Sequence, residues 1–274
     1  MLFLNRIGEK RRQKVVIDSH CHIYPDKIAE KASGATGKFY DVPIRFDGRI
    51  STLLENSKGI DISIVQSVAT TPAQVKSINS FISAAVEEHK GRLIGLGTLH
   101  PDCEDMAGEV ENILKLKLKG VKLHPDIQRF QLDDPKCLKI YEECEKAQLP
   151  LLIHTGDKRY DYSNPNRMIP IIENFKNLTI IGAHFGGWSI WEEATNRLFG
   201  YKNFYVDCSS SSFWLTPEVF KKLIYTYGPD RVLFGTDYPM WHPEEELEYF
   251  NSLHLPKEDS EKILWQNATR IFSL

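Results

Sequence analysis

Long apolar runs are missing from this chain. None of its 274 residues sits in a stretch approaching the roughly 18 apolar positions that a membrane span needs. The start, Met1-Leu2-Phe3-Leu4, is too short for the apolar core of a signal peptide, so a cytoplasmic protein is expected. Cysteine is sparse: Cys21, Cys103, Cys137, Cys144 and Cys208 are odd in number and form no C-x-x-C pair. That argues against a disulfide framework and a cysteine zinc knuckle, and leaves reduced, packed thiols. Positive charge is not in excess either. With 34 Lys and Arg against 37 Asp and Glu, the net charge of -3 supplies no broad basic field, and nucleic acid is not an expected partner. The basic cluster Lys10-Arg11-Arg12 with Lys14 reads as a solvated N-terminal tail spanning residues 1–14. No Pro/Gly/Ser-rich linker, low-complexity segment or short repeat divides the chain, so one domain over 1–274 is the simplest organisation.

What is present is a globular composition, 42% hydrophobic and 26% charged, with regular alternation of two periodicities. Strand-like runs fall at Val15 to Asp18, Ile62 to Val68, Leu93 to Leu99, Val121 to Leu123, Leu151 to Ile153, Thr179 to Ala183, Phe204 to Asp207 and Val232 to Phe234. Between them lie segments of helical period such as Ala73 to His89, Asp105 to Leu118, Asp134 to Ala147 and Pro217 to Tyr227. Such alternation implies parallel strands with right-handed crossovers, and eight units fit a closed (β/α)8 TIM barrel. The alternative is an open doubly wound sheet, which the absence of a Gly-x-Gly-x-x-Gly turn after the first strand disfavours. The longest irregular pieces, Ile23 to Phe46 and Gly156 to Arg167, follow strands one and five. In a parallel barrel both fall on the C-terminal face, where active sites are built.

The strand ends form a set. Asp18-Ser19-His20-Cys21-His22 follows strand one, and residues two apart on a strand share a face, so His20 and His22 project together. Alone, such a pair is weak evidence, more often an ordinary hydrogen-bonded couple than a metal site. Strand four, however, ends in Lys122-Leu123-His124-Pro125, strand five in His154, strand six in His184 and strand eight in Asp237. Five of the nine histidines therefore gather at one edge of the expected barrel, which a chance scatter would not produce.

These pieces, with Ala183-His184-Phe185-Gly186-Gly187, Phe234-Gly235-Thr236-Asp237-Tyr238-Pro239 and the terminal Asn267-Ala268-Thr269-Arg270-Ile271-Phe272, resemble the amidohydrolase superfamily of metal-dependent barrels. The nearer likeness is to the branch that groups metal-dependent hydrolases with aminocarboxymuconate-semialdehyde decarboxylase and γ-resorcylate decarboxylase. The resemblance implies a divalent ion, most often one Zn2+, held by His20, His22, His154 and Asp237. It implies an acid/base or polarising role for His184, which in some relatives binds a second ion. Lys122 resembles the carbamylated bridging ligand of two-metal relatives; an unmodified lysine that pairs with a carboxylate or an anionic substrate is the favoured reading. His124 is read as capping the loop at Pro125. Homodimers are common in that branch.

Around the metal set, Arg159 is the expected substrate anchor for a carboxylate. The run Cys208 to Trp214, and Trp241 with His242, suit a pocket wall. Three activities are consistent with the set. The first and favoured one is hydrolysis of an amide, ester or lactone of a small-molecule substrate by metal-activated water, with Asp237 moving the proton. The second is nonoxidative decarboxylation of an aromatic or unsaturated carboxylic acid on the same site. The third is a noncatalytic metal-binding barrel, which the retention of His184 beside the ligands disfavours.

Overall fold

A computed structural model describes residues 15–274 of the chain; the basic cluster at residues 10–14 lies outside them. Nine short strands build eight staves: β1 Ile17–His22, β2 Ile62–Gln66, β3 Leu93–Gly95, β4 Gly97–Thr98, β5 Val121–Leu123, β6 Leu151–Ile153, β7 Ile180–Gly182, β8 Phe204–Asp207 and β9 Val232–Leu233. All neighbours pair in parallel, β1 to β2 to β3 and β4 through to β9. The expected strand Leu93 to Leu99 is one stave broken at Leu96, whose N–H turns to Val65 O (2.9 Å), while Gly97 N bonds Gly120 O (2.9 Å). The helix Val75–Glu88 and the chain near Leu118 press on this stave. A Cβ on Gly95 would come within 2.7 Å of both Ile82 and Leu118 side-chain carbons, which is why the residue there has none.

The ring closes between last and first staves. Ser19 N donates to Phe234 O (2.9 Å) and Asp237 N to His20 O (2.8 Å). Asp18 rivets the seam with its carboxylate, which accepts from Thr236 N (3.0 Å) and Thr236 Oγ1 (2.6 Å). Closure to a TIM barrel with helices outside is thus the architecture, as the alternating sequence pattern led one to expect.

Two apolar layers hold it. The larger lies between staves and helices and includes Val16, Cys21, Val121, Leu123, Leu151, Ile153, Ile180 and Val206. The smaller plugs the ring with Ile17, Ile62, Ile64, Leu96, Leu152, Ile181 and Leu233, stoppered by Ala268 and Phe272 of the C-terminal helix Asn267–Phe272. Strand alternation sends one residue to each layer in turn, so Lys122, register partner of Leu152, is turned inward with no exposed surface.

β1 breaks that alternation. Ile17 belongs to the inner layer, so strict period two would turn Ser19 and Cys21 inward and both histidines outward. A register shift between Asp18 and Cys21 inserts the extra step; Cys21 packs in the outer layer, and His20 and His22 face the interior. Asp18 stabilises the bulge by accepting the displaced His20 N–H (3.1 Å). The segment Ile23 to Phe46, expected to be irregular, contains the 12-residue helix Ala29–Tyr40, which lies over the open end of the ring. Among the described residues, no helix is long and apolar enough to cross a membrane.

Candidate active site

The C-terminal ends of the staves surround a cavity of about 590 Å³. His20, His22 and Asp237 form its floor. His20 Nε2 and His22 Nε2 are 3.1 Å apart, and Asp237 Oδ1 stands 3.3 and 3.5 Å from them. Ligand atoms each about 2.0–2.2 Å from one divalent ion are separated by about 3.0–3.5 Å, so the three fit a common ion. The donor set agrees: two imidazole nitrogens and a carboxylate oxygen converge, all within 4.8 Å of one another.

Their neighbours fix which atoms face inward. Asp207, at the end of β8, sits 2.9 Å from His20 Nδ1, which must therefore carry the hydrogen. Burial alone would raise the Asp207 carboxyl; the His20 imidazole, its hydrogen bond, His184 and Ser209 outweigh that and hold it below the usual range. The outer oxygen of Asp237 accepts from Ser210 Oγ, which in turn accepts from Trp241 Nε1 (2.8 Å). Asp237 (φ 62°) and His184 (φ 59°) both hold left-handed backbone, which turns the chain sharply at the stave ends.

The remaining predicted residues form the facing wall. His184 Nδ1 lies 3.1 Å from the Ser209 carbonyl oxygen, so it donates there and leaves Nε2 as a lone pair, 3.1 Å from His154 Nδ1. Burial pushes His184 down to about 4, and it pushes His22, His124 and His154 well below the histidine range; all four are neutral imidazoles at pH 7. His154 does not join the floor triad at ligand distance. It stacks on His124 (centroids 4.0 Å, planes 5° apart), and its Nε2 stands 3.6 Å from Asp126 Oδ2.

Lys122 neither pairs directly with a carboxylate nor lies on the rim. It is fully buried, pushed down to about 8 by desolvation against the pull of Asp207 and Asp237, and its Nζ is 3.0 Å from His20 Nε2. His124 does cap the loop, accepting from Ile127 N (3.3 Å) as N-cap of the short helix Pro125–Gln128. Two residues on from Lys122, it also faces the cavity, with Nε2 2.6 Å from the Tyr40 hydroxyl.

The expectation for Arg159 is corrected. Its guanidinium is occupied by Asp157 (Nε–Oδ1 3.0 Å, Nη2–Oδ2 2.7 Å) and by Phe39 O (2.7 Å), and it is not among the residues lining the cavity. Ringed by Phe39, Tyr40, Tyr160 and Trp188 at 5.2–5.8 Å, it ties down the end of the helix Ala29–Tyr40. Nor does His242 line the mouth; it caps the helix Pro243–Ser252. Sequence reasoning missed Tyr40, Asp126 and Asp207, and gave Ser209 only a place in a pocket wall, where it instead bonds Asp207. Asp207 obeyed the strand-end rule that found the others; nothing local in the sequence marks Tyr40.

The amidohydrolase family model matches residues 17–274. The chain is 27% identical over 239 residues to the 2-amino-3-carboxymuconate-6-semialdehyde decarboxylase of Dictyostelium discoideum, covering 72% of this chain and 66% of that protein, just under two thirds of its length. Its fold is similar to that of a TIM-barrel protein from Bordetella bronchiseptica (TM-score 0.78, 20% identity, 94% of this chain and 98% of that one). It is also similar to a dihydroxybenzoic acid decarboxylase from Polaromonas sp. JS666 with bound manganese and the inhibitor 2-nitroresorcinol (TM-score 0.70, 17% identity, 96% and 98% covered).

Proposed function

From the premise that the chain belongs to the amidohydrolase family, we propose that it is a divalent-metal-dependent decarboxylase that removes CO2 nonoxidatively from an aromatic or unsaturated carboxylic acid. The observation that carries the choice over hydrolysis is the similarity to the Dictyostelium decarboxylase, aligned along most of this chain. It favours the activity that the sequence alone ranked second. The manganese of the Polaromonas structure leaves zinc without preference, so the cofactor is proposed as a divalent ion of either kind.

His20, His22 and Asp237 would hold the ion, with His154, on the facing wall, as the fourth ligand that the family likeness offers. When bound, such an ion supplies positive charge against the carboxylate or a neighbouring oxygen of the substrate. The chain supplies the rest. Phe39, Tyr40, Phe81, Ile78 and Met240 wall the cavity with flat and apolar surface that suits an aromatic or conjugated acid and keeps water out. In the reaction the bond to the carboxylate carbon breaks, CO2 leaves, and the electron pair left on the ring or chain carbon takes up a proton. We assign to His184 the relay of that proton, which comes from the substrate's own hydroxyl or from solvent: its Nε2 lone pair takes the proton up and returns it to the carbon, with the Asp237 carboxylate beside it as the accepting partner.

Incubating metal-loaded protein with a panel of hydroxybenzoic acids and following CO2 release tests the reading. CO2 with a ring-protonated product is expected. Turnover of amides or lactones, with no CO2 from any acid, would return the site to hydrolysis.

A further inference from the structure

Arg129 stands apart from the other arginines among the described residues. Six of them form ion pairs, and two, Arg92 and Arg270, donate to backbone carbonyls. Arg129 has neither kind of partner, yet it lines the catalytic cavity, where the other cation is Lys122, already bonded to His20 on the floor. Nothing on that rim has neutralised it.

Its backbone is firmly placed. Arg129 ends the one-turn helix Pro125–Gln128 in left-handed conformation (φ 62°, ψ 48°), its N–H bonded to Pro125 O. The preceding residue is locked on three sides: Gln128 Nε2 donates to Ala69 O (2.7 Å) and Leu99 O (2.9 Å), and Oε1 accepts from His124 N (2.8 Å). A long cationic side chain on a fixed base is thereby set at the boundary between the catalytic cavity and an adjoining one of about 260 Å³, which Arg129 also lines. The charges of that smaller cavity are otherwise settled: Lys136 Nζ is 2.8 Å from Asp102 Oδ1, and Asp134 caps the Lys136 N–H (2.9 Å).

A planar guanidinium without a carboxylate of its own is suited to take one from a ligand, in bidentate fashion. We infer that Arg129 is a specificity-determining residue that anchors a second carboxylate of the substrate, so that the site prefers a dicarboxylic acid, one carboxylate held at the floor for removal and the other at the rim. The inference rests on the decarboxylase reading. It also moves the anchoring role from Arg159, which is spent within the fold, to a cation that is free.

Calorimetric titration of the manganese-loaded protein with benzoate and with isophthalate tests it. The wild type should bind isophthalate about tenfold or more tighter than benzoate. Arg129→Gln should bring isophthalate down to the benzoate level with benzoate unchanged, and Arg129→Lys should fall between. Because the side chain is exposed, melting curves of the variants should overlay the wild type. Benzoate binding with no isophthalate advantage, or an advantage that survives Arg129→Gln, would overturn the role of Arg129 alone. Binding of neither acid to the wild type would overturn the acid-binding reading and this inference with it.

Discussion

Asp207 Oδ2 lies 2.9 Å from His20 Nδ1, and this contact decides which face His20 shows to the cavity. A carboxylate only accepts, so Nδ1 carries the hydrogen and Nε2 offers its lone pair to the floor. Asp207 also accepts from His184 N (3.1 Å) and Ser209 Oγ (2.5 Å), so one buried carboxylate orients residues of three staves. Asp207→Asn keeps the volume but can present an amide N–H to His20 and favour the wrong tautomer. Metal affinity, measured by competition with a chelating dye, should fall about 10- to 100-fold while the circular dichroism spectrum is kept. Unchanged affinity would mean that His20 is oriented by other contacts.

The ligand assignment itself is the next exposure. Asp237→Ala and His154→Ala should each lose most bound metal per chain, measured by elemental analysis. His254→Ala, in left-handed backbone on the exposed surface, should lose none. His154 is the sharper test, because its ring stacks on His124 rather than joining the floor triad. Full metal content in His154→Ala would leave a three-residue floor. His184→Ala should retain metal and lose turnover.

Lys122 Nζ and a bound ion would compete for one lone pair on His20 Nε2. An unmodified lysine at that position opposes metal uptake, whereas a carbamylated one would be a ligand. Lys122→Met, which fills the buried space without charge, should therefore bind metal at least as tightly as wild type. A large loss of affinity, together with a carbamate mass on intact protein under bicarbonate, would establish the two-metal arrangement instead.

How much of this was legible in the sequence follows from how local each signal is. The stave ends carrying His154, His184 and Asp237 stood out because short apolar runs with polar ends announce parallel strands. The pair His20 and His22 was correctly expected on one face, but which face depends on the bulge at Asp18, and that depends on Thr236 across the barrel seam. The helix Ala29–Tyr40 hid behind Gly34 and Gly37, residues that weaken a helical reading. Gly37 is nonetheless needed, since a Cβ there would meet Ile44 Cγ1 at 2.7 Å. Arg159 reads as a free anchor only where Asp157, two residues earlier, is left out; their pairing lies within the loop itself.

That pairing has its own consequence. Arg159 joins the loop after β6 to Phe39 O, next to Tyr40, whose hydroxyl reaches His124 (2.6 Å) and His154 (3.3 Å). Arg159→Ala should free the end of the covering helix, raising KM more than it lowers kcat, and cost about 1–2 kcal/mol in urea denaturation, the side chain being part-exposed. Tyr40→Phe keeps the wall and removes the hydroxyl, so it should affect kcat and leave stability nearly unchanged. Equal effects on both parameters in the two variants would place helix and hydroxyl in one role.

Glu246, itself outside the proposed ligand set, gives the fold a pH dependence, to which the neighbouring Asp18 and Asp237 carboxylates add. Burial, opposed by its bond with Ser212 Oγ (2.6 Å), pushes its carboxyl up to about 7, from an unfolded value near 4.5. Between these values the folded state holds the proton that the unfolded chain has released, so stability should decline as pH rises from about 4.5 to about 7 and then level. The loss attributable to this group is at most about 3 kcal/mol, by 1.36 kcal/mol per pKa unit. Glu246→Gln cannot ionise. Its unfolding free energy relative to wild type should be nearly constant below pH 4.5 and grow steadily toward pH 7. Parallel curves for the two proteins across that window would show that Glu246 ionises in the folded state as readily as in the unfolded chain.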